Sequence, residues 1–382
     1  MILRITARLV STSIKGSIKA SCNQTSRPFF VKGLFNAQTF STHCASSKVL
    51  ELYKRIKMKD RYYLAKAITL VESTRKDHRV EAQQLLSLIM DAQHERTKEI
   101  GDSAPTFRIG LSGPPGVGKS TFIERFGMYI LSQGHRVAVL AIDPSSSKTG
   151  GSILGDKTRM PELSYHDDAY IRPSASHGTL ARNTNEAMIL CEAAGYDICL
   201  IETIGVGQSE TMVAEMVDMF VLMVPPAGGD EIQGLKKGIV EISDLIIVNK
   251  ADGVFANAAR EASADYTSAL KYLHPSTSVW NPKVIRVSAK ANSGLDEAWK
   301  LMQEYYHAMK SSGELSKKRG EQRSLWMWRQ ITSELLDRLN SDKEICELVD
   351  QLEQKVFNGE MTSGTAADHV VDTFTRKYSG AK

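Results

Sequence analysis

The sequence predicts an α/β protein in which a mainly parallel β-sheet is covered by helices on both faces. Two observations lead to this fold class. Apolar runs with the length of buried strands alternate along the chain with stretches of helical periodicity, which is typical of parallel sheets. A glycine-rich motif directly follows the first of these runs and opens a helix. We therefore expect ligands to bind at the carboxyl ends of the strands.

The elements can be placed in order along the chain. Strands are predicted at residues 107–112, 136–142, 197–202, 218–224, 244–249 and 284–288, with helices between them, for example at 121–132 and 183–194. Further helical patterns precede and follow this region. The predicted divisions are a presequence at 1–46, a helical extension at 47–105, a nucleotide-binding domain at 106–310 and a helical arm at 311–382.

The helical arm carries apolar residues on more than one face. Trp326 and Trp328 lie two positions apart, so they fall on different faces of a helix. A helix of this kind needs more than one partner surface. We interpret residues 311–382 as a dimerisation or docking arm, and a helical cap on the core is the alternative.

The first residues have the pattern of a mitochondrial presequence. Arg4, Arg8, Lys15 and Lys19 fall on one side of a helical wheel, and apolar residues fall on the other. Residues 1–50 contain no Asp or Glu. An amphipathic, basic and acid-free start predicts import into the mitochondrial matrix, with cleavage between residues 27 and 50. A disordered basic tail is the alternative.

The composition of the remaining chain argues against a nucleic-acid-binding protein. The formal net charge of +4 includes seven basic residues within residues 1–50, and the other residues carry 41 basic and 44 acidic side chains. No uninterrupted apolar run approaches the length that spans a bilayer. The five cysteines form no CxxC pair, so no zinc framework is predicted.

A phosphate-binding loop follows the first strand. Residues 113–120, GPPGVGKS, match the motif G-x-x-x-x-G-K-[ST] between a strand and a helix. Its glycines let backbone N–H groups turn inward around phosphates. We expect Lys119 to reach the β- and γ-phosphates and the Ser120 hydroxyl to bind Mg²⁺. The predicted nucleotide-binding residues of this loop are Gly113, Pro114, Pro115, Gly116, Val117, Gly118, Lys119, Ser120 and Thr121.

Acidic residues near other strand ends complete the predicted magnesium site. Asp143 follows the second strand and Glu202 ends a buried one, so both acids should reach the edge where the phosphate loop lies. Asp156, in a Gly- and Ser-rich segment, is a further magnesium candidate. In the run ETIG, Glu202 takes the place of Asp in a DxxG-type switch, and the Gly205 N–H could sense the γ-phosphate. We assign the catalytic role to Lys119, Glu202 and Gly205.

Two later motifs predict that the base is guanine. Residues 249–252 read N-K-A-D after a strand, and residues 288–290 read S-A-K after the next one. Asp252 would accept from the N1–H and amino group of guanine, which adenine cannot present together. Asn249 would brace the loop and the Lys250 stem would pack on the base. The predicted base-binding residues are Asn249, Lys250, Asp252, Ser288, Ala289 and Lys290. Residues 106–310 are therefore predicted to form a P-loop GTPase domain.

Four segments together resemble the MeaB/ArgK family of metallochaperone-like P-loop GTPases. They are DPSSSKTGGSILGDKTRM at 143–160, ETIGVGQSE at 202–210, PPAGGDEIQGLKKGI at 225–239 and NKAD at 249–252. The resemblance implies a GTPase that uses GTP/GDP and Mg²⁺ and binds methylmalonyl-CoA mutase. It further implies gated delivery of adenosylcobalamin from a cobalamin adenosyltransferase, protection or reactivation of the mutase, and a homodimer formed through the C-terminal arm.

The resemblance also changes how some residues are interpreted. Metallochaperone GTPases typically carry Glu at the end of the magnesium strand, which Glu202 fits. Residues 228–238 resemble an extra switch loop, in which Gln233 and Lys236 are candidates to reach the nucleotide when the mutase docks. A solvated helix start is the alternative for these two residues. Val206, not a water-positioning Gln, follows Gly205, so we expect slow hydrolysis that a partner accelerates.

Three functions are alternatives to a chaperone of the mutase. A nickel- or zinc-inserting maturation GTPase would predict a His-rich tract or a Cys-bearing motif, but the nine His residues are scattered. A kinase would predict a second substrate pocket, and the guanine motifs with switch-like loops argue against it. A non-hydrolysing scaffold is opposed by the intact Lys119, Ser120 and Glu202.

Overall fold

A seven-stranded parallel sheet is the centre of the fold in the computed structural model. The structure describes residues 45–73, 75–100, 106–142, 160–174, 180–203, 208–226, 237–273 and 277–379. The strands are β1 Phe107–Ser112, β2 Val137–Ile142, β3 Ala169–Ser174, β4 Ile198–Thr203, β5 Met219–Val224, β6 Leu245–Val248 and β7 Lys283–Arg286. Their order across the sheet is β3-β2-β4-β1-β5-β6-β7. The predicted α/β fold class is confirmed.

Thirteen helices accompany the sheet within the described residues. The first three, α1 Ser47–Lys57, α2 Arg61–Glu72 and α3 Lys76–Ile100, precede it. Those between strands are α4 Lys119–Ser132, α5 Pro161–Tyr165, α6 Leu180–Ala193, α7 Gln208–Ala214, α8 Lys237–Glu241 and α9 Ala256–Leu270. The last four are α10 Leu295–Ser311, α11 Glu314–Ser341, α12 Lys343–Phe357 and α13 Ser363–Ser379. None of the described helices is long and apolar enough to cross a bilayer.

The central strands are apolar on both faces, and each face is covered by its own helices. In β2, Ala138 and Leu140 belong to one apolar cluster, whereas Val137 and Val139 belong to another. The first cluster includes residues of α1, α2, α3, α6 and α9, and the second includes residues of α4, α5 and α10. Strands buried on both faces explain why the sequence shows continuous apolar runs instead of alternation.

One strand, β3, is not predicted by the sequence. Its residues read AYIRPS, so charged Arg172 and Pro173 interrupt a short apolar stretch. Proline has no backbone N–H, so within a strand that is paired on both sides it would remove a hydrogen bond of the sheet. β3 lies at the edge of the sheet and pairs only with β2, where a missing donor is tolerated.

The described residues fall into two compact units, and the boundary between the units lies at residues 335 and 336. In the smaller unit, Asp342 caps α12 by accepting from the backbone of Glu344 and Ile345. Lys377 of α13 donates to Asp342 at 2.8 Å, which joins the two helices. α11 begins in the larger unit, where Trp326 is partly buried against the core and Trp328 is 63% exposed, as their spacing predicts.

A buried ion pair fastens the start of α11 to the sheet. Arg319 donates through Nε and Nη2 to both carboxylate oxygens of Asp218, at 2.8 and 2.6 Å, and also to the Thr106 carbonyl at 2.6 Å. Asp218 precedes β5 and also accepts from the backbone N–H of Arg108 in β1. Burial alone would raise the pKa of Asp218, but the charges and hydrogen bonds of Arg319 and Arg108 hold it below its usual range.

Replacing Arg319 by methionine is expected to destabilise the larger unit strongly. The change keeps much of the side-chain volume but leaves the Asp218 carboxylate, which is fully buried, without its charge partner. We expect the free energy of unfolding to fall by roughly 3–5 kcal/mol. Because the folded pKa of Asp218 is lowered, the pair stabilises above the unfolded carboxyl pKa and loses its effect as pH falls through the folded pKa. Urea denaturation at neutral and acidic pH measures both effects.

The matched control is Lys317→Met on the same helix. Lys317 pairs with Glu314 on the surface, where the Lys317 side chain is 62% exposed. Such exposed pairs contribute less than about 1 kcal/mol. Equal losses for the two variants, or a loss for Arg319→Met that does not shrink in acid, would contradict the assignment.

Candidate nucleotide-binding site

The phosphate loop contains two glycines at which the structure leaves no room for a side chain. Gly113 follows β1, and a Cβ there would lie 2.3 Å from the carbonyl oxygen of Met223 in β5. Gly118 has a φ of +97° before α4, and its Cβ would lie 2.8 Å from Nδ2 of Asn249. These glycines are thus required by close approach to β5 and to the loop after β6.

Lys119 begins α4 and folds back over the loop that precedes it. Its Nζ donates to the carbonyl oxygens of Gly113 at 2.7 Å and Pro114 at 3.2 Å. Burial lowers the pKa of Lys119, while the negative charges of Glu202 and Glu210 oppose that shift. Because the Lys119 residue is only 8% exposed, its charge is screened little by water and acts strongly on a nearby phosphate.

Ser120, which follows Lys119, contacts Glu202 near the carboxyl end of β4. Ser120 Oγ donates to Oε1 of Glu202 at 3.2 Å, and Glu202 is 2% exposed. The register of the sheet explains this contact, because Leu111 of β1 pairs with Glu202 of β4. The Ser120 hydroxyl and the Glu202 carboxylate meet at the amino end of α4, and both are oxygen ligands of the kind that Mg²⁺ binds. The chemistry of this donor pair therefore fits the metal.

The loop after β6 joins the phosphate loop to the loop after β7. Asn249 donates through Nδ2 to the Val117 carbonyl at 2.9 Å and accepts through Oδ1 from the Ala289 N–H at 3.3 Å. Lys250, with a φ of +59°, donates to the Gly116 carbonyl at 2.7 Å. The phosphate loop at 113–120, the N-K-A-D motif at 249–252 and the S-A-K motif at 288–290 thus form one continuous site.

Asp252 is oriented by the serine of the S-A-K motif. Ser288 Oγ donates to Oδ1 of Asp252 at 2.5 Å and accepts from the Ala291 N–H at 3.1 Å. The S-A-K motif does not by itself indicate this side-chain contact, which the structure adds. Lys290 is exposed on the same turn.

Several predicted site residues lie outside the described part of the chain. They are Asp143, Asp156, Gly205, Gln233 and Lys236. Their roles stay predictions. One buried acid was missed: Glu210 of α7 is 2% exposed and its charge acts on Lys119. Its position within the family-like segment ETIGVGQSE was the available indication, but no spacing rule singled it out.

The fold and this site define a P-loop GTPase. A family model described as methylmalonyl-CoA mutase-associated GTPase MeaB matches residues 64–344. The chain therefore belongs to the MeaB family, and it binds and hydrolyses GTP.

Individual relatives agree with this assignment. The mouse mitochondrial methylmalonic aciduria type A homolog is 51% identical over 330 residues, which cover 86% of this chain and 80% of the mouse protein. The GTPase ArgK of Escherichia coli is 40% identical over 86% of this chain and 97% of its own length. A crystal structure described as LAO/AO transport system kinase is 34% identical with a TM-score of 0.68, covering 87% of this chain and 99% of its own.

Replacing Asp252 by asparagine should remove the preference for guanine. The carboxylate can accept from both guanine donors, whereas an amide places its own N–H₂ against one of them. We expect GTP to bind roughly 10- to 100-fold more weakly, the value of one charged hydrogen bond, with little change for ATP. Nucleotide titration measures both affinities.

Asp265→Asn is the matched control, because Asp265 is an exposed acid on α9. It should leave the affinity for GTP unchanged. An Asp252→Asn variant that kept the full preference for GTP over ATP would show that the base is recognised elsewhere.

Proposed function

We propose that this GTPase is a chaperone of methylmalonyl-CoA mutase that gates adenosylcobalamin loading and protects or reactivates the mutase. The match to a family described by its association with the mutase supports the partner. The site supports a nucleotide switch, since the phosphate loop, Glu202 and the base loop are held together by direct contacts. A cobalamin adenosyltransferase is the proposed donor of the cofactor.

The proposed reaction is in-line attack of water on the γ-phosphate of GTP. The single observation that carries it is the buried Lys119 beside the hydrogen-bonded Ser120 and Glu202. Lys119 and the loop N–H groups stabilise the negative charge that develops on the phosphate oxygens. Ser120 and Glu202 would hold Mg²⁺, with Asp143 and Asp156 as further candidates. When bound, Mg²⁺ supplies positive charge to the β- and γ-phosphate oxygens.

The proposed coupling to the mutase uses the predicted switch residues. Gly205 would sense the γ-phosphate, and Gln233 and Lys236 would reach the nucleotide when the mutase docks. Hydrolysis then releases these segments and changes the contact with the mutase. Together with Lys119 and Glu202, Gly205 forms the proposed catalytic set.

We propose that the protein works in the mitochondrial matrix. The mouse and Caenorhabditis elegans relatives are named mitochondrial. The acid-free, basic sequence of residues 1–46 supports the same compartment, because it has the pattern of a presequence.

GTP hydrolysis with and without methylmalonyl-CoA mutase tests the partner. We expect a low rate with GTP alone that rises severalfold when the mutase is added, and no reaction with ATP. Measuring free phosphate separates hydrolysis from transfer to another molecule. A rate that does not respond to the mutase would refute the proposed stimulation while leaving the GTPase intact.

Lys119→Ala tests the mechanism. Removing a buried phosphate-binding cation should lower the hydrolysis rate on the order of 100-fold or more and abolish GTP-gated transfer of adenosylcobalamin. Lys271→Ala, an exposed lysine after α9, is the control. Gated transfer that persisted in the Lys119→Ala variant would refute the mechanism.

We further propose a homodimer formed through the C-terminal arm. An apolar stripe along α11 is exposed in the larger unit, and it consists of Leu325, Met327, Trp328, Ile331 and Leu335. Large contiguous apolar surfaces of this kind mark protein interfaces. Residues 311–382 would provide this surface to a second copy.

The double variant Trp328→Ser/Ile331→Ser should convert the dimer to a monomer in sedimentation velocity. Trp and Ile side chains lose their burial against the partner, while their removal costs little in the single chain, where both are exposed. Tyr272→Ser, which alters an 86% exposed residue outside the arm, should leave the dimer unchanged. A wild-type protein that sediments as a monomer would exclude the dimer.

A further inference from the structure

A basic surface that the nucleotide site does not use lies on the first two helices. We call it the basic tip. All of its side chains are exposed, and none belongs to a predicted site. It consists of Lys54, Arg55, Lys57, Lys59 and Lys66, with Met58 and Tyr62.

The two acids within the same stretch are already engaged by local contacts. Glu51 accepts from the Tyr63 hydroxyl at 3.1 Å. Asp60 caps α2 by accepting from the N–H groups of Tyr62 at 3.0 Å and Tyr63 at 3.4 Å. None of the five cations of the basic tip forms an ion pair with any described residue. The five cations outnumber the two carboxylates, so the surface carries a net positive charge.

Aromatic rings join the cations of the two helices into one surface. The Arg55 guanidinium of α1 lies 5.3 Å from the ring centroid of Tyr63 in α2, and the Lys66 ammonium lies 5.9 Å from the same ring. Tyr62 packs edge-on against Tyr63 with centroids 5.4 Å apart. The Lys57 ammonium lies 5.1 Å from the Tyr53 ring. These contacts keep Arg55, Lys57 and Lys66 beside aromatic rings near the turn between the helices.

Two apolar side chains project among these charges without serving the core. Met58 is 72% exposed at the end of α1, and Tyr62 is 68% exposed in the first turn of α2. The apolar faces of both helices are instead buried through residues such as Leu52 and Leu64. Tyrosine with an apolar neighbour and surrounding lysines is a combination that suits a lipid–water interface.

We propose that the basic tip is a peripheral membrane-binding site for the phosphate headgroups of anionic phospholipids. Tyr62 and Met58 would enter the interfacial layer while the cations contact the phosphates. The residue types favour lipid over an acidic protein, because four of the five cations are lysines. Lysine is depleted in protein–protein interfaces, whereas clusters of four to eight Lys or Arg residues on a helix are typical of anionic-lipid binding.

Co-sedimentation with vesicles tests the proposal on the full chain. The probes are neutral phosphatidylcholine vesicles and vesicles that also contain phosphatidylglycerol, each at low and high salt. Residues 1–46 are themselves basic, so every protein tested carries Arg4, Arg8, Lys15 and Lys19 replaced by serine. We expect binding only to the anionic vesicles, and weaker binding at high salt because the charges are screened.

Two variants then locate the binding surface. Lys54→Gln/Lys66→Gln should weaken vesicle binding roughly 25-fold, because each cation near an anionic surface contributes roughly fivefold. Met58→Ser/Tyr62→Ser should weaken binding by a similar factor at low and high salt, since it removes only the apolar contribution, which salt does not screen. Lys271→Gln/Lys300→Gln, which removes two exposed lysines elsewhere, is the charge-matched control and should bind almost as the parent does.

Unchanged melting temperature and GTP hydrolysis in solution establish that each variant is folded. Three outcomes would overturn the proposal. They are absence of binding to anionic vesicles, equal weakening in the basic-tip and control variants, and loss of mutase stimulation by Lys54→Gln/Lys66→Gln without any lipid binding. The last outcome would assign the basic tip to an acidic protein surface.

Discussion

The side-chain amide of Asn249 holds three loops of the nucleotide site in one arrangement. It donates to Val117 in the phosphate loop and accepts from Ala289 in the loop after β7, while its own backbone follows β6. Because Asn249 is 2% exposed, breaking either bond would leave a buried polar group without a partner. The phosphate loop therefore cannot move away from the base loop without that cost. Gly118 is part of the same constraint, since a side chain there would collide with the Asn249 amide.

Strand β5 links this constraint to the opposite side of the sheet, where the amino ends of the strands lie. At its carboxyl end, the Met223 carbonyl lies where a side chain on Gly113 would be. Just before its amino end, Asp218 receives Arg319 and the backbone of Arg108. β5 is thus fixed by a polar contact at one end and by close packing at the other. The helix α11 and the phosphate loop meet the same strand, which explains why both depend on its position.

The sequence predicts the parts of the fold that depend on local composition and misses those that depend on distant partners. Buried strands such as β2 and β5 are continuous apolar runs, and the phosphate loop has a motif whose glycines have no substitute. β3 was missed because Pro173 is acceptable only at a sheet edge, and edge position is a property of the whole sheet. Ser288 and Asp252 are 36 positions apart, and Arg319 and Asp218 are 101 positions apart. No local sequence pattern predicts either contact.

Buried charge has different roles at the amino ends and at the carboxyl ends of the parallel strands. At the amino edge, the Asp218 carboxylate is neutralised by Arg319, so the charges stabilise the fold and leave little potential for a ligand. At the carboxyl edge, Lys119 donates to two neutral carbonyl oxygens and makes no ion pair with a described residue, although Glu202 and Glu210 act on it from a distance. Because no carboxylate of the described residues is paired directly with Lys119, its positive charge is available to a phosphate group. That difference, which no count of charged residues reveals, separates the structural end of this sheet from its functional end.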